Sequence, residues 1–148
     1  MSSREMVAEF MHAFGTIIRR SPTADITNAE RVLRARLVLE EAFEFVESMG
    51  CGVVWQLTMP GLSAIQVVDS GGVVDLVAAA DALADVIYVA EGSALTMGIP
   101  MSDVMREVHR SNMAKAGGGV DKYGKIQKPA GWVPPDIAGV LRRDGWVG

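Results

Sequence analysis

The sequence predicts an all-α fold: a bundle of about four helices, with a small β-hairpin at 53–68 and an extended C-terminal arm. Three observations predict it. Apolar residues recur at helical spacing through several stretches closed by glycine or proline. Residues of high β propensity cluster in one short region, 53–68. No alternation of strand and helix patterns builds a parallel sheet. At 148 residues, 49% hydrophobic, the chain is sized for one domain, 1–148, of which 120–148 forms the tail.

The elements follow in order. Residues 4–14, REMVAEFMHAF, set Met6, Val7, Phe10, Met11 and Phe14 at helix spacing, and Gly15 ends that short helix. A loop with Pro22 and Asp25 leads to Thr27-Asn28-Ala29-Glu30, the spacing of a capping box. A long helix is predicted from there to about Met49, with Gly50 and Gly52 as stop signals. Next come VVWQL and AIQVV, separated by a Pro60-Gly61 turn signal. A second long helix is predicted from about Val74 to Met97, closed by Gly98 and Pro100. It is apolar nearly all the way round and is therefore expected to be buried on most sides. A third helix opens at Met101 or Ser102 and carries its basic residues toward its C-terminus, where they complement the helix dipole. The run Gly117-Gly118-Gly119 stops it and is too short for a phosphate-binding loop. The tail holds Pro129, Pro134 and Pro135 and one short helical turn near DIAGVLRR, with Trp132 placed to pin it onto the bundle or a partner subunit.

Composition excludes several functions. Net charge is −4 and the pI is near 5.1, which argues against general nucleic-acid binding. The single cysteine, Cys51, cannot build a disulfide framework or a cysteine zinc site within one chain. The first 20 residues carry no leader-like apolar core. The longest apolar run, LVAAADALADVIYVA, holds two aspartates and is poor membrane material. The expected setting is a reducing cytoplasm, with neither membrane nor nucleic acid as partner.

The acids are the informative residues. On a helix, Glu40, Glu41, Glu44 and Glu47 share one face, opposite Val38, Leu39, Phe43 and Val46. A solvated face explains this pattern alone, yet no lysine or arginine occurs in 37–49, and like charges one turn apart repel. Asp81 and Asp85, also one turn apart, fall on a helix expected to be buried. Buried aspartates need paired bases, a proton or a cation. Arg106, Arg110 and Lys115 of the third helix are the candidate bases. The other reading joins the two helices into a carboxylate cluster of oxygen-only ligands, which suits Mg²⁺ or Mn²⁺ and hence phosphate chemistry.

At EEAFE (40–44), DALADVIYV (81–89), VHRSNMAK (108–115) and WVPPDIAGVL (132–141) the chain resembles the all-α nucleoside triphosphate pyrophosphohydrolases, the MazG-like and phosphoribosyl-ATP pyrophosphohydrolase superfamily. The resemblance implies a homodimer or homotetramer that cleaves a nucleotide substrate, an NTP or dNTP, to the monophosphate and pyrophosphate by metal-assisted water attack. It implies metal ligands Glu41, Glu44 and Asp85. Where the motif has a glutamate this chain has Ala82, and Asp81 is the substitute on the same face. Glu40 or Glu41 is the expected base, with Lys115 neutralising phosphate charge. Asn112 and Arg110 are further substrate contacts. His12 and Phe14 are placed to meet the nucleobase, with Phe10 and Trp55 as further stacking candidates. The competing reading is a non-catalytic nucleotide- or metal-binding oligomeric module.

Overall fold

The computed structural model describes residues 1–57, 63–122 and 124–148. Its order is α1 (Ser3–Ala13), α2 (Asn28–Ser48), β1 (Cys51–Leu57), β2 (Ser63–Asp69), α3 (Leu76–Thr96), α4 (Met101–Met113) and α5 (Ile137–Arg143). The chain is mostly helical with one small hairpin, as predicted, and α5 is the expected helical turn of the tail. The Pro60-Gly61 turn and the Trp55 side chain lie outside the described residues.

All the helices except α4 begin where a side chain takes over free amides. Thr27 Oγ1 accepts from the Glu30 amide at 3.1 Å, and the Glu30 carboxylate accepts from the Thr27 amide at 2.8 Å. The same box opens α1, between Ser2 and Glu5, where the sequence reading expects only the one at α2. Its signal was present as Ser-x-x-Glu. At α3, Asp75 Oδ1 accepts from the amides of Val77 and Ala78, each at 3.0 Å.

The hairpin is antiparallel, with Cys51 opposite Asp69 and Leu57 opposite Ser63. Its neck is where glycine is required. Gly50 has φ +71°, and a Cβ there would stand 2.6 Å from the Gly72 carbonyl carbon. Ser70 Oγ donates to the Gly50 carbonyl at 2.7 Å, and the Asp75 amide donates to the Ser48 carbonyl at 2.9 Å. The end of α2 is thereby tied to the approach to α3, which sets those two helices as a pair.

Two compact units emerge: residues 1–16 with 26–93, and residues 17–25 with 94–148. In the first, Val7, Met11, Ala79 and Ala82 are buried. Here one expectation fails: α3 is not buried on most sides. Leu76 is 76% exposed, Val77 82%, Leu83 47% and Ile87 53%. Within one chain α3 packs through a stripe containing alanines and leaves its larger apolar side chains in water. The physical reason is that an all-round apolar pattern specifies burial without specifying what does the burying.

In the second unit Ala94, Leu95 and Val140 are buried. Arg19 caps the end of α3 by donating its amide to the Leu95 carbonyl at 3.0 Å and its guanidinium to the Thr96 carbonyl at 2.7 Å. The tail returns to α4 at Trp132, whose Nε1 donates to the Ser111 carbonyl at 2.8 Å, while Ser111 Oγ donates to the Val133 carbonyl at 3.0 Å. Trp132 therefore pins the tail within its own chain.

Candidate active site

In the first unit α2 and α3 face each other in antiparallel register. Arg34, early in α2, lies against Gly92, late in α3. Glu41, two turns further along α2, lies in the field of Asp85 and Asp81, earlier in α3. The acids singled out from the sequence thus meet electrostatically. The Glu41 carboxyl is held above the usual carboxylate range, first by partial burial and then by repulsion from Glu44, Asp85, Glu40 and Asp81. Both aspartates act on Glu41, so the i,i+4 spacing around Ala82 keeps them on one side, while Ala82 itself is buried.

Two corrections follow. Asp81 and Asp85, expected to be buried, are exposed in the single chain, although they stand on the side of α3 that looks toward Glu41. The bases considered for them have local partners: Arg106 with Asp103 at 2.6 Å, Arg110 with Glu107 at 2.7 Å, and Lys115 Nζ donating to Asn112 Oδ1 at 2.8 Å. Short i,i+3 reach favours these local partners. Glu40 does have a partner on its own helix, Arg36, whose Nε stands 2.9 Å from Glu40 Oε1. Arg36 lies one residue before the base-free stretch, and its i,i+4 spacing to Glu40 was the signal for it. Among the described residues no three His, Cys, Asp or Glu side chains converge closely enough to hold an ion as they stand.

Beyond the acids the two helices and α1 enclose a cavity of about 340 Å³. Val7, Phe10, Leu37 and Tyr88 line it with apolar surface, and Arg34 is its charged group. The Phe10 and Tyr88 rings meet edge to face at 5.7 Å, and the Phe14 ring packs against Phe10 at 4.5 Å with the planes tilted by 39°. Burial pushes the Arg34 guanidinium pKa down, and Glu30 opposes that shift. Of the residues assigned to the nucleobase from sequence, neither His12 nor Phe14 lines this cavity; both are exposed. Arg34 and Leu37 were missed, being ordinary members of an amphipathic helix in sequence.

The phosphoribosyl-ATP pyrophosphohydrolase family matches residues 7–112. The chain belongs to this family. It is accordingly a pyrophosphohydrolase acting on a nucleotide phosphoanhydride. No curated protein matches the chain. The family match includes α1 from Val7 onward, both acidic helices, the hairpin and α4 as far as Asn112, but stops short of Lys115 and the tail.

In the second unit, Arg110, Asn112 and Lys115 lie on α4 and just past its end. Asn112 and Lys115 border a cavity of about 380 Å³ formed with Gly117 and Ile126. Lys115 Nζ also sits 5.5 Å from the Trp132 ring, and Lys128 Nζ 4.3 Å from it. Glu107 is held down to about 2 by its bonds from the Arg110 guanidinium and the Asp136 amide.

Proposed function

We propose that the protein hydrolyses nucleoside triphosphates between the α and β phosphates, with Mg²⁺ held by Glu41, Glu44, Asp81 and Asp85. The observation that carries this reading is the meeting of acids from two facing helices around Glu41, inside the stretch that matches the family. Five carboxylates in one field are costly without a counter-charge. Their oxygen-only chemistry fits Mg²⁺ or Mn²⁺. When bound, the cation neutralises charge on the phosphate oxygens.

The chain's own residues have distinct tasks in this reading. Glu40, outside the metal set and oriented by Arg36, accepts a proton from the attacking water. Glu41, its neighbour, shares that task with its metal role. The oxygen of water joins phosphorus, the bond to the bridging oxygen breaks, and the monophosphate and pyrophosphate leave. Lys115 is assigned to the departing phosphate charge, with Asn112 and Arg110 as further contacts. His12 and Phe14, the residues assigned to the nucleobase from sequence, stand outside the cavity, and Phe14 reaches its wall only through Phe10. The exposed apolar residues of α3 support assembly as a homodimer or homotetramer.

The family description favours a second substrate, phosphoribosyl-ATP, which carries the same kind of anhydride. One assay tests both: pyrophosphate release from each NTP, each dNTP and phosphoribosyl-ATP, with Mg²⁺ and with chelator. Release from NTPs that stops on chelation is the expected result. Release from phosphoribosyl-ATP alone overturns the NTP assignment. Nucleotide binding without release from any of them favours the non-catalytic module.

A further inference from the structure

The cavity between α1, α2 and α3 has a feature that apolar packing does not require: a guanidinium in a wall that is otherwise mostly apolar and aromatic, with Thr16 as a further polar residue. We propose that this cavity receives the nucleobase, and that Arg34 makes it selective for guanine over adenine. This rests on the nucleotide reading above and names the substrate class of the same site.

Position comes first. Arg34 precedes Glu41 by seven residues on α2, and Tyr88 follows Asp81 by seven on α3. Both intervals are two helical turns, about 10.5 Å along the axis at 1.5 Å per residue. Because the helices are antiparallel, the two intervals run side by side from the cavity to the acids. That separation is of the order a nucleotide spans from base edge to its first phosphates. A base in the cavity therefore brings its phosphates to the carboxylate cluster.

The walls suit a flat apolar ring better than a phosphate. Phe10 and Tyr88 already meet edge to face, the arrangement aromatic rings prefer. A phosphate in such surroundings loses its hydration against surface that cannot replace it.

Arg34 then sets the choice of base. A guanidinium only donates, through a planar fork of N–H groups. Guanine offers two adjacent acceptors, N7 and O6, which match that fork. Adenine places its N6 donor beside N7, so one arm of the fork faces a donor in a desolvated site. Glu30, the acid that acts on Arg34, also accepts a capping bond from the Thr27 amide. Gly92 makes the arrangement sterically available: a Cβ there would stand 3.0 Å from Arg34 Nη1.

The test is binding without turnover. GMP, AMP and 7-deaza-GMP are titrated into the full chain by calorimetry, without metal. The expected result is GMP tighter than AMP by about tenfold or more, with 7-deaza-GMP losing most of that advantage. In Arg34→Met, checked for helicity and melting temperature, the GMP-to-AMP ratio falls toward one. Arg34→Lys, which keeps charge and loses the fork, also loses the preference. Equal affinity of the wild type for GMP and AMP overturns the proposal, as does a preference that survives in a folded Arg34→Met. If Arg34→Met does not fold, the 7-deaza result on the wild type decides: full retention of GMP affinity overturns the proposal. None of these readouts needs catalysis, so a chain that binds GMP selectively but releases no pyrophosphate defeats the enzymatic reading and leaves this one standing.

Discussion

At the residue scale the site depends on how carboxylates respond to one another. Glu44 and Asp85 come from different helices and both act on Glu41. Losing either removes a proposed metal ligand while keeping shape and helix propensity nearly constant. Glu44→Gln and Asp85→Asn are each expected to cost at least about 100-fold in pyrophosphate release, since even outer-shell partners of metal ligands cost 10- to 100-fold. Circular dichroism is expected to show unchanged helicity; full activity in either folded variant would remove these residues from the site. Glu41 gives a pH-dependent counterpart. Its folded pKa is raised, so the folded chain holds that proton longer than the unfolded one. Glu41's contribution is most favourable below the ordinary value of 4.5 and is lost as pH rises through the folded pKa. Glu41→Gln is therefore expected to melt higher than wild type at pH 7 and to match it near pH 3. Added Mg²⁺ should raise the wild-type melting temperature more than that of the variant. Thermal scans at the two pH values, with and without Mg²⁺, check both statements.

At the element scale, boundaries were legible wherever a side chain makes them. Thr27 and Glu30 announce the start of α2, Gly50 and Gly98 announce ends, and the β-branched residues at 53–68 announce the hairpin. What was not legible is how each element is held. Arg36 sits one residue before the base-free stretch 37–49, and Arg34 looks like any charged residue of an amphipathic helix until Gly92 faces it. The surroundings of Asp81 and Asp85 were misjudged because hydrophobic periodicity reports a tendency to be covered, and the cover need not come from the same chain. The hairpin neck gives a sharper test. Gly50 combines φ +71° with a backbone too close for any side chain. Gly50→Ala is expected to cost at least about 2 kcal/mol, since an L-residue in the left-handed region costs roughly 1–2 kcal/mol before any clash is counted. Urea unfolding measures it, and a loss within error would mean the neck relaxes freely. On α4, Glu107 ties the helix to the approach of α5 through the Asp136 amide at 2.8 Å. Its pKa near 2 lies below the ordinary 4.5, so its contribution is present above pH 4.5 and is lost as pH falls toward 2. Glu107→Gln should melt lower than wild type at pH 7, with the difference fading by pH 2.

At the scale of the whole molecule the unanswered surface is on α3. Leu76, Leu83 and Ile87 fall on one stripe at intervals of seven and four residues, and all are largely exposed in one chain. Asp81 and Asp85 lie on roughly the opposite side of the same helix at 100° per residue. One helix thus presents acids toward α2 and an apolar stripe away from them. Each stripe side chain is worth about 1.5–3 kcal/mol when fully buried, which a second copy can supply. The wild type is expected to run as a homodimer or homotetramer by light scattering at micromolar concentration. Leu83→Glu puts a charge in the middle of the stripe, where desolvation in a closed interface is costly. It should shift the mass toward the monomer. Because the substitution points away from Glu41, Mg²⁺-dependent nucleotide binding measured at the same concentration should fall less than assembly does. A monomeric wild type would end this assignment of the stripe. A Leu83→Glu variant that stays assembled would move the interface to another exposed apolar set of the same unit, of which Ile65 and Val67 on β2 are the next largest on the hairpin.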